Sequence, residues 1–175
     1  MAVYRILEEH EPSLREIAKP VPRITPNVLK LLDNLAETMY DAGGVGLAAP
    51  QIGVPKRVFV ADIGDELYEF INPVLISLSE EEESENEGCL SVPEKYGLVT
   101  RPHSVVLEGQ NRLGETVTIQ TEGYLARVLQ HETDHLNGVL FTDIADAVYL
   151  RRDYKEGDDN EGWEIYQEDG IEDRL

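Results

Sequence analysis

Residues 131–135 read H-E-T-D-H, two histidines and a glutamate at a spacing typical of helical metal sites. Each residue of a helix advances by about 100°, so His131 and His135 lie only about 40° apart around the axis, one turn from each other. Both imidazoles can therefore bind one metal ion. Glu132 lies on the same side, about 60° from His135, where it can contact a metal-bound water rather than the metal.

The apolar residues around this segment indicate which way its side chains point. Four of them cover the arc that Glu132 occupies: Leu125, Val128, Leu129 and Leu136. A carboxylate that faces an apolar core is poorly solvated, and this raises its pKa toward the range useful for proton transfer. Two histidines at this spacing also occur as packed core residues, so the helix alone leaves that alternative open.

A catalytic metal site of this kind needs a third protein ligand and one open position for water. Residues 136–150 contain no histidine, although a glutamate further along the chain would also serve. The sole cysteine, Cys89, lies in the segment E-G-C-L-S-V-P of residues 87–93, and a thiolate is a strong ligand for divalent transition metals. A free cysteine is also commonly a small buried hydrophobe, so its role depends on its neighbours.

Three segments of the chain resemble the signature of the peptide deformylases. They are G-V-G-L-A-A-P-Q at residues 44–51, E-G-C-L-S at residues 87–91 and Q-H-E-T-D-H-L at residues 130–136, in the family's order. The resemblance extends over roughly residues 3–145. It implies a metal-dependent hydrolase that removes the N-formyl group from N-formyl-L-methionyl peptides of nascent proteins and releases formate.

The resemblance implies a metal site of one thiolate and two imidazoles. Cys89, His131 and His135 would hold one divalent metal ion. The family implies ferrous iron in the cell, while zinc, nickel and cobalt suit the same ligands. Glu132 would act first as the general base and then as the general acid of the hydrolysis.

The resemblance also implies residues that contact the substrate. The side-chain amide of Gln51 and the backbone N–H of Leu90 would stabilise the oxyanion. Gly46, with Val45 beside it, would let the peptide backbone lie close in a β-like pairing. Gln51 could instead only cap a turn, and Gly46 could serve only a tight bend.

The residues one and two turns before His131 are candidates for the methionine pocket. They are Tyr124, Arg127 and Val128, and they could equally belong to the core or to the surface.

Two other functions fit parts of the same pattern. A small H-E-x-x-H peptidase would cleave internal peptide bonds, but such peptidases use a histidine or a glutamate as the third ligand rather than a cysteine. A metal-stabilised binding module would fill all four positions of the metal with protein ligands, whereas the sequence offers three convincing ones.

The surrounding sequence predicts the elements that position these residues. A first helix starts with Thr25 as its cap and stops at residues 41–44, and a second runs from about Glu122 to Leu136 before a stop at residues 137–138. Five strands are predicted, over Arg57–Asp62, Tyr68–Leu78, Gly97–Arg101, Ser104–Gln110 and Glu115–Thr121. Residues 111–114 predict a hairpin turn. We therefore expect an α+β fold in which antiparallel strands surround a buried central helix that carries the metal ligands.

Length and charge limit the remaining choices. The 175 residues favour one domain, with residues 1–150 as the catalytic domain and residues 151–175 as an acidic C-terminal tail. The net charge of −20 argues against direct nucleic-acid binding. Six glutamates in residues 80–87, like the tail, are expected to form solvated faces or loose segments.

The sequence contains no membrane span or signal peptide, and its single cysteine suits a reducing compartment, so we expect a cytoplasmic protein. The oligomeric state is left open.

Overall fold

Two antiparallel sheets and two long helices account for most of residues 2–153, the part of the chain that this computed structural model describes. The helices are α1 (Pro26–Asp41), α2 (Gly123–Leu136) and the short α3 (Phe141–Ile144). The strands are β1 (Gly46–Ala48), β2 (Val58–Ala61), β3 (Tyr68–Leu78), β4 (Glu82–Cys89), β5 (Val92–Pro102), β6 (Ser104–Gln110), β7 (Thr116–Glu122) and β8 (Ala147–Leu150). Residues 154–175 of the predicted tail lie outside the described residues.

Helix α1 begins and ends where its sequence predicts. Pro26 occupies the first turn, and the predicted apolar face is buried, with Leu32, Leu35 and Met39 fully inaccessible. Thr25 does occupy the N-cap position, but its side chain forms no capping hydrogen bond. The predicted position of the cap is therefore confirmed, and the backbone carbonyl of Thr25 accepts the N–H groups of Val28 and Leu29 in the first turn.

The larger sheet has the strand order β1-β2-β3-β6-β7, with every neighbouring pair antiparallel. Strands β3 and β6 have the predicted bounds, and the predicted hairpin at residues 111–114 joins β6 to β7. The order places β1 at one edge, next to β2 alone. Within the part of the chain that the structure describes, this short, buried strand thus has one side without a strand partner.

The smaller sheet has the order β4-β5-β8 and contains the glutamate run. The prediction of a solvated face holds for residues 82–86, which are exposed, but the segment is an ordered strand rather than a loose one. Glutamate has a low intrinsic preference for strands, and it is the pairing with β5 that holds this one. Glu87 departs from the pattern because it points inward and is only 6% exposed.

Helix α2 packs against strands of the larger sheet and is buried along most of its length. It contacts β1, β2, β3, β6 and β7, and 11 of its 14 residues are buried. Asn137 ends it, and at Gly138, with φ of 72°, a Cβ atom would lie 2.3 Å from the carbonyl oxygen of Arg15. Only glycine fits this stop, which confirms the predicted end of the helix.

The mixed α/β architecture with antiparallel sheets thus agrees with the sequence prediction. Within the described residues, no helix is long and apolar enough to cross a membrane.

Candidate metal centre and active site

Helix α2 presents both histidines of the H-E-T-D-H segment to one point. Their ring centroids lie 5.0 Å apart, with the planes inclined at 72°. His131 is 9% exposed and His135 is 1% exposed. Burial holds the pKa of His135 well below its usual range, which favours the neutral imidazole that a metal ion requires.

Cys89 reaches the same point from the end of β4. Its Sγ lies 3.3 Å from Nε2 of His135, and the ligand atoms of Cys89, His131 and His135 all lie within 4.8 Å of one another. Ligands that share one tetrahedral ion at bond lengths of about 2.0–2.3 Å stand roughly 3.3–3.8 Å apart. The three side chains therefore form a candidate metal site that small side-chain movements would close around an ion.

Glu132 is a buried carboxylate beside this site. It is 3% exposed, and burial raises its pKa to about 7. Among the described residues its Oε2 atom has no hydrogen-bond partner. A buried acceptor without a donor costs free energy unless a water or ligand satisfies it, so this oxygen suits a water held at the metal site.

Gly46 of β1 makes room for that carboxylate. A Cβ atom at Gly46 would lie 2.3 Å from Oε1 of Glu132, closer than any real contact. Any other residue here would push Glu132 away from the ligands. This contact adds a packing role to the predicted contact of Gly46 with the peptide backbone.

Gln51 has a side-chain orientation fixed by its own turn. Its Oε1 accepts the N–H of Ala48 at 2.9 Å, which leaves the NH₂ group to point the other way. That group donates to Oγ of Ser91 at 3.1 Å and lies 3.6 Å from Sγ of Cys89. The two alternatives for Gln51, a turn cap and a donor at the site, are therefore compatible, because one end of the amide serves each.

Leu90 and Ser91 form the tight turn between β4 and β5, opposite the backbone of Gly44. A cleft of about 350 Å³ opens at this turn and leads to the candidate metal site. Its wall contains Gly43–Gly46, Gln51, Asn86–Leu90, Tyr96, Tyr124, Arg127, Val128, His131, Glu132 and Arg151. The structure thus brings together in one cleft every predicted site residue except His135, which lies behind it at the metal site.

Glu87 is the functional residue that the sequence analysis missed. Its Oε1 lies 2.8 Å from Nδ1 of His131, so the histidine donates there and leaves Nε2 for the metal. Arg101 donates twice to the same carboxylate, at 2.5 and 2.9 Å, and Arg127 donates at 2.8 Å. Burial disfavours the charged form, but the hydrogen bonds from His131 and Arg101 hold the pKa of Glu87 at about 2.

The period of a β-strand could have revealed Glu87. Alternate residues of a regular strand point to the same side, and Glu87 precedes Cys89 by two positions, although the pairing with β5 shifts register between them. The run of glutamates around it concealed this signal, since the exposed and the buried members are of the same residue type.

The candidates for the methionine pocket separate into different environments. Val128 is buried in the cleft wall, and Tyr124 lies at its rim with 58% exposure. Arg127 also lines the cleft, but its guanidinium is anchored to Glu87 and to the carbonyl oxygens of Val99 and Glu83, at 2.8, 2.8 and 2.7 Å. Its main contacts are therefore with the smaller sheet.

Comparisons with known proteins agree with this geometry. The family model of the polypeptide deformylases matches residues 3–149. The chain is 56% identical over 148 residues to a peptide deformylase of Carboxydothermus hydrogenoformans, which covers 85% of this chain and 97% of that relative.

Solved structures show the same similarity. A peptide deformylase of Thermotoga maritima superposes with a TM-score of 0.82 at 44% identity, covering 83% of this chain and 99% of its own. One from Acinetobacter baumannii, with Met-Ala-Ser bound, gives a TM-score of 0.77 at 33% identity over 81% and 98% of the two chains.

We expect the substitution Glu87→Gln to weaken metal binding by about 10- to 100-fold, because His131 loses the carboxylate that orients it. The affinity is measured by competition with a chromogenic chelator, beside the free energy of unfolding. Asp134→Asn is the matched control, since Asp134 accepts a hydrogen bond from Arg101 at 2.8 Å and, within residues 2–153, none from His131. Equal metal affinity in the Glu87→Gln variant and the wild type would contradict the role of Glu87.

Proposed function

The chain belongs to the peptide deformylase family and removes the N-formyl group from nascent peptides; from this premise we propose which of its residues perform the hydrolysis. The observation that carries the proposal is the convergence of Cys89, His131 and His135 on one point, with Glu132 beside them. In this proposal the three residues, two of them on the buried helix α2, hold one divalent metal ion.

A thiolate and two imidazoles suit a catalytic divalent ion, because they leave one position open. The unpartnered Oε2 of Glu132 fits a water at that position. When bound, the ion lowers the pKa of the attacking water and polarises the formyl carbonyl.

Glu132 moves the proton in the proposed mechanism. Its Oε2 accepts the proton of the water that attacks the formyl carbon. The same oxygen then delivers the proton to the amide nitrogen as the carbon–nitrogen bond breaks. The products are formate and a peptide with a free amino group on its methionine. The small residue at Gly46 keeps the carboxylate within reach of both partners.

Gln51 and Leu90 stabilise the charge that develops on the formyl oxygen. The NH₂ group of Gln51 is held toward Cys89 by the bond of its Oε1 to Ala48, so it needs no reorganisation during the reaction. The N–H of Leu90 is the second donor, at the turn that follows Cys89.

The substrate lies along β1, with Gly46 and Val45 contacting its backbone. Strand β1 is an edge of the larger sheet, and an extended peptide can add to such an edge by main-chain hydrogen bonds. The Acinetobacter baumannii relative has been solved with Met-Ala-Ser bound, which supports a short peptide as a ligand of this fold. Val128 and Tyr124 are placed to contact the methionine side chain.

We further propose ferrous iron as the metal and the cytoplasm as the location. The cytoplasm is supported by the substrates, which are nascent chains, and by the free cysteine, which suits a reducing compartment. The catalytic domain of residues 1–150, the acidic tail of residues 151–175 and the lack of direct nucleic-acid binding stay predictions.

The function is tested by formate release from a formyl-Met-Ala-Ser peptide, measured beside cleavage of a longer unformylated peptide. We expect rapid formate release and no internal cleavage. Cleavage of the unformylated peptide at internal bonds would instead identify a peptidase.

The substitution Glu132→Gln should lower kcat by on the order of 10²- to 10⁴-fold, since an amide cannot accept the proton of the water. Metal content should stay at the wild-type level, because Glu132 is not a ligand. Glu122→Gln, at a side chain that is 79% exposed, is the matched control and should retain full activity. Near-normal turnover in a metal-loaded Glu132→Gln protein would remove Glu132 from the mechanism.

Protein stripped with a chelator and reloaded without oxygen should be most active with iron. The iron form should lose activity in air, because ferrous iron and the thiolate of Cys89 are both open to oxidation. Nickel and cobalt forms should survive, and zinc should bind the same ligands but turn over slowly.

Formate release with and without oxygen is the measurement for each metal form. A zinc form that is the fastest, together with an iron form indifferent to air, would contradict the iron assignment. Unchanged metal binding in Cys89→Ser would contradict the third ligand.

A further inference from the structure

Arg151 forms part of the cleft wall although it lies outside all three signature segments. It begins the 3₁₀ turn Arg151–Asp153, which follows β8 and packs against β5. Its Cζ atom lies 5.6 Å from the ring centroid of Tyr96, and its Nη1 donates to the carbonyl of Pro93 at 3.5 Å. A guanidinium over an aromatic face at this distance is held by a cation–π interaction.

Tyr96 connects Arg151 to the candidate metal site by direct packing. A Cβ atom at Gly88 would lie 2.8 Å from Cε1 of Tyr96, so the ring lies against the backbone beside Cys89. The order outward from the site is Cys89, Gly88, Tyr96 and Arg151. This path of packed groups has a length on the order of 10 Å, comparable to about three residues of extended peptide at about 3.3 Å each.

Arg151 is exposed to solvent, in contrast to three other ionisable side chains of the cleft wall. Glu87, Arg127 and Glu132 are 6%, 7% and 3% exposed, whereas Arg151 is exposed. Glu87 and Arg127 neutralise each other at 2.8 Å. Among residues 2–153, Arg151 has no carboxylate partner within 4 Å.

The nearby Lys95 does not supply a second unpaired positive charge. Its Nζ atom lies 3.3 Å from a carboxylate oxygen of Glu9, so its charge is already paired. Among residues 2–153, Arg151 is therefore an accessible cation in the cleft wall with no carboxylate paired to it, in a chain with a net charge of −20. The nearest charge has the largest electrostatic effect on a bound substrate, because salt largely screens charges that lie more than about 8 Å away.

We propose that Arg151 is a specificity-determining residue, which favours formyl-methionyl peptides with an acidic side chain at the third residue. This inference rests on the proposed function. The third residue is the one that reaches Arg151 when the formyl group lies at the metal ligands. The contact is equally present in the ground state and the transition state, so it lowers KM and leaves kcat unchanged.

The test compares formyl-Met-Ala-Asp-Ala amide with the peptide that carries Asn in place of Asp. The terminal amide removes the other carboxylate. We expect a KM about two- to fivefold lower for the Asp peptide at low ionic strength, the range of an exposed ion pair, and a smaller difference at high salt. Values of kcat should agree.

Three variants distinguish an effect of Arg151 on KM from an effect of the overall charge of the protein. Arg151→Gln should abolish the difference in KM, and Arg151→Lys should retain most of it. Arg152→Gln removes the same charge from a neighbour that is not part of the cleft wall, so the difference should persist.

Three outcomes would overturn the inference. Equal KM values for the two peptides in the wild type would do so and leave the deformylase function intact. Loss of the difference in Arg152→Gln as well would show an effect of overall charge. Absence of formate from every peptide would overturn the proposed function, and the inference with it.

Discussion

The buried carboxylate of Glu87 is the interaction on which the site depends. It joins β4 to β5 through Arg101 and joins both strands to helix α2 through His131 and Arg127. The strand that supplies Cys89 is thereby tied to the helix that supplies both histidines. Loss of one member of a buried charged network leaves its partners unpaired, at a cost of about 3–5 kcal/mol. The network therefore aligns the ligands before any metal binds.

Where helix α2 faces β1, the Glu132 side chain needs space that only a glycine on β1 leaves free. Glu132 lies against the backbone of Gly46, where no side chain fits, and burial there raises its pKa to about 7. The carboxylate of Glu87 on β4 and that of Glu132 on α2 are thus in opposite environments. Glu87 is surrounded by donors that keep it charged, whereas Glu132 has an oxygen to which none of residues 2–153 donates, and this carboxylate is suited to exchange a proton.

The cleft lies where the two sheets approach each other, and this explains the mixture of residues in its wall. One side is the edge strand β1 of the larger sheet, and the other is the turn that joins β4 to β5 in the smaller sheet. Gln51 bridges the two sides, since its amide bonds to Ala48 at one end and to Ser91 at the other. The position of the smaller sheet relative to the larger one therefore sets the width of the cleft.

The sequence alone specified the features that depend only on residues close together along the chain, namely helical spacing and strand bounds. The spacing of His131, Glu132 and His135 follows from the pitch of a helix, and the bounds of β3 and β6 follow from their residue types. Cys89 was a candidate ligand because a thiolate binds divalent transition metals and because its segment resembles the family signature, not because of its spacing from the histidines. Tertiary structure alone decided which glutamate of residues 82–87 is buried, because the partners of Glu87 come from β5 and α2. It also placed Arg151 in the cleft wall, since only the pairing of β8 with β5 brings that residue beside Tyr96. The direction in which a charged side chain points depends on how the strands around it pair, and for this reason the candidate ligands could be predicted from the sequence while the positions of Glu87 and Arg151 could not.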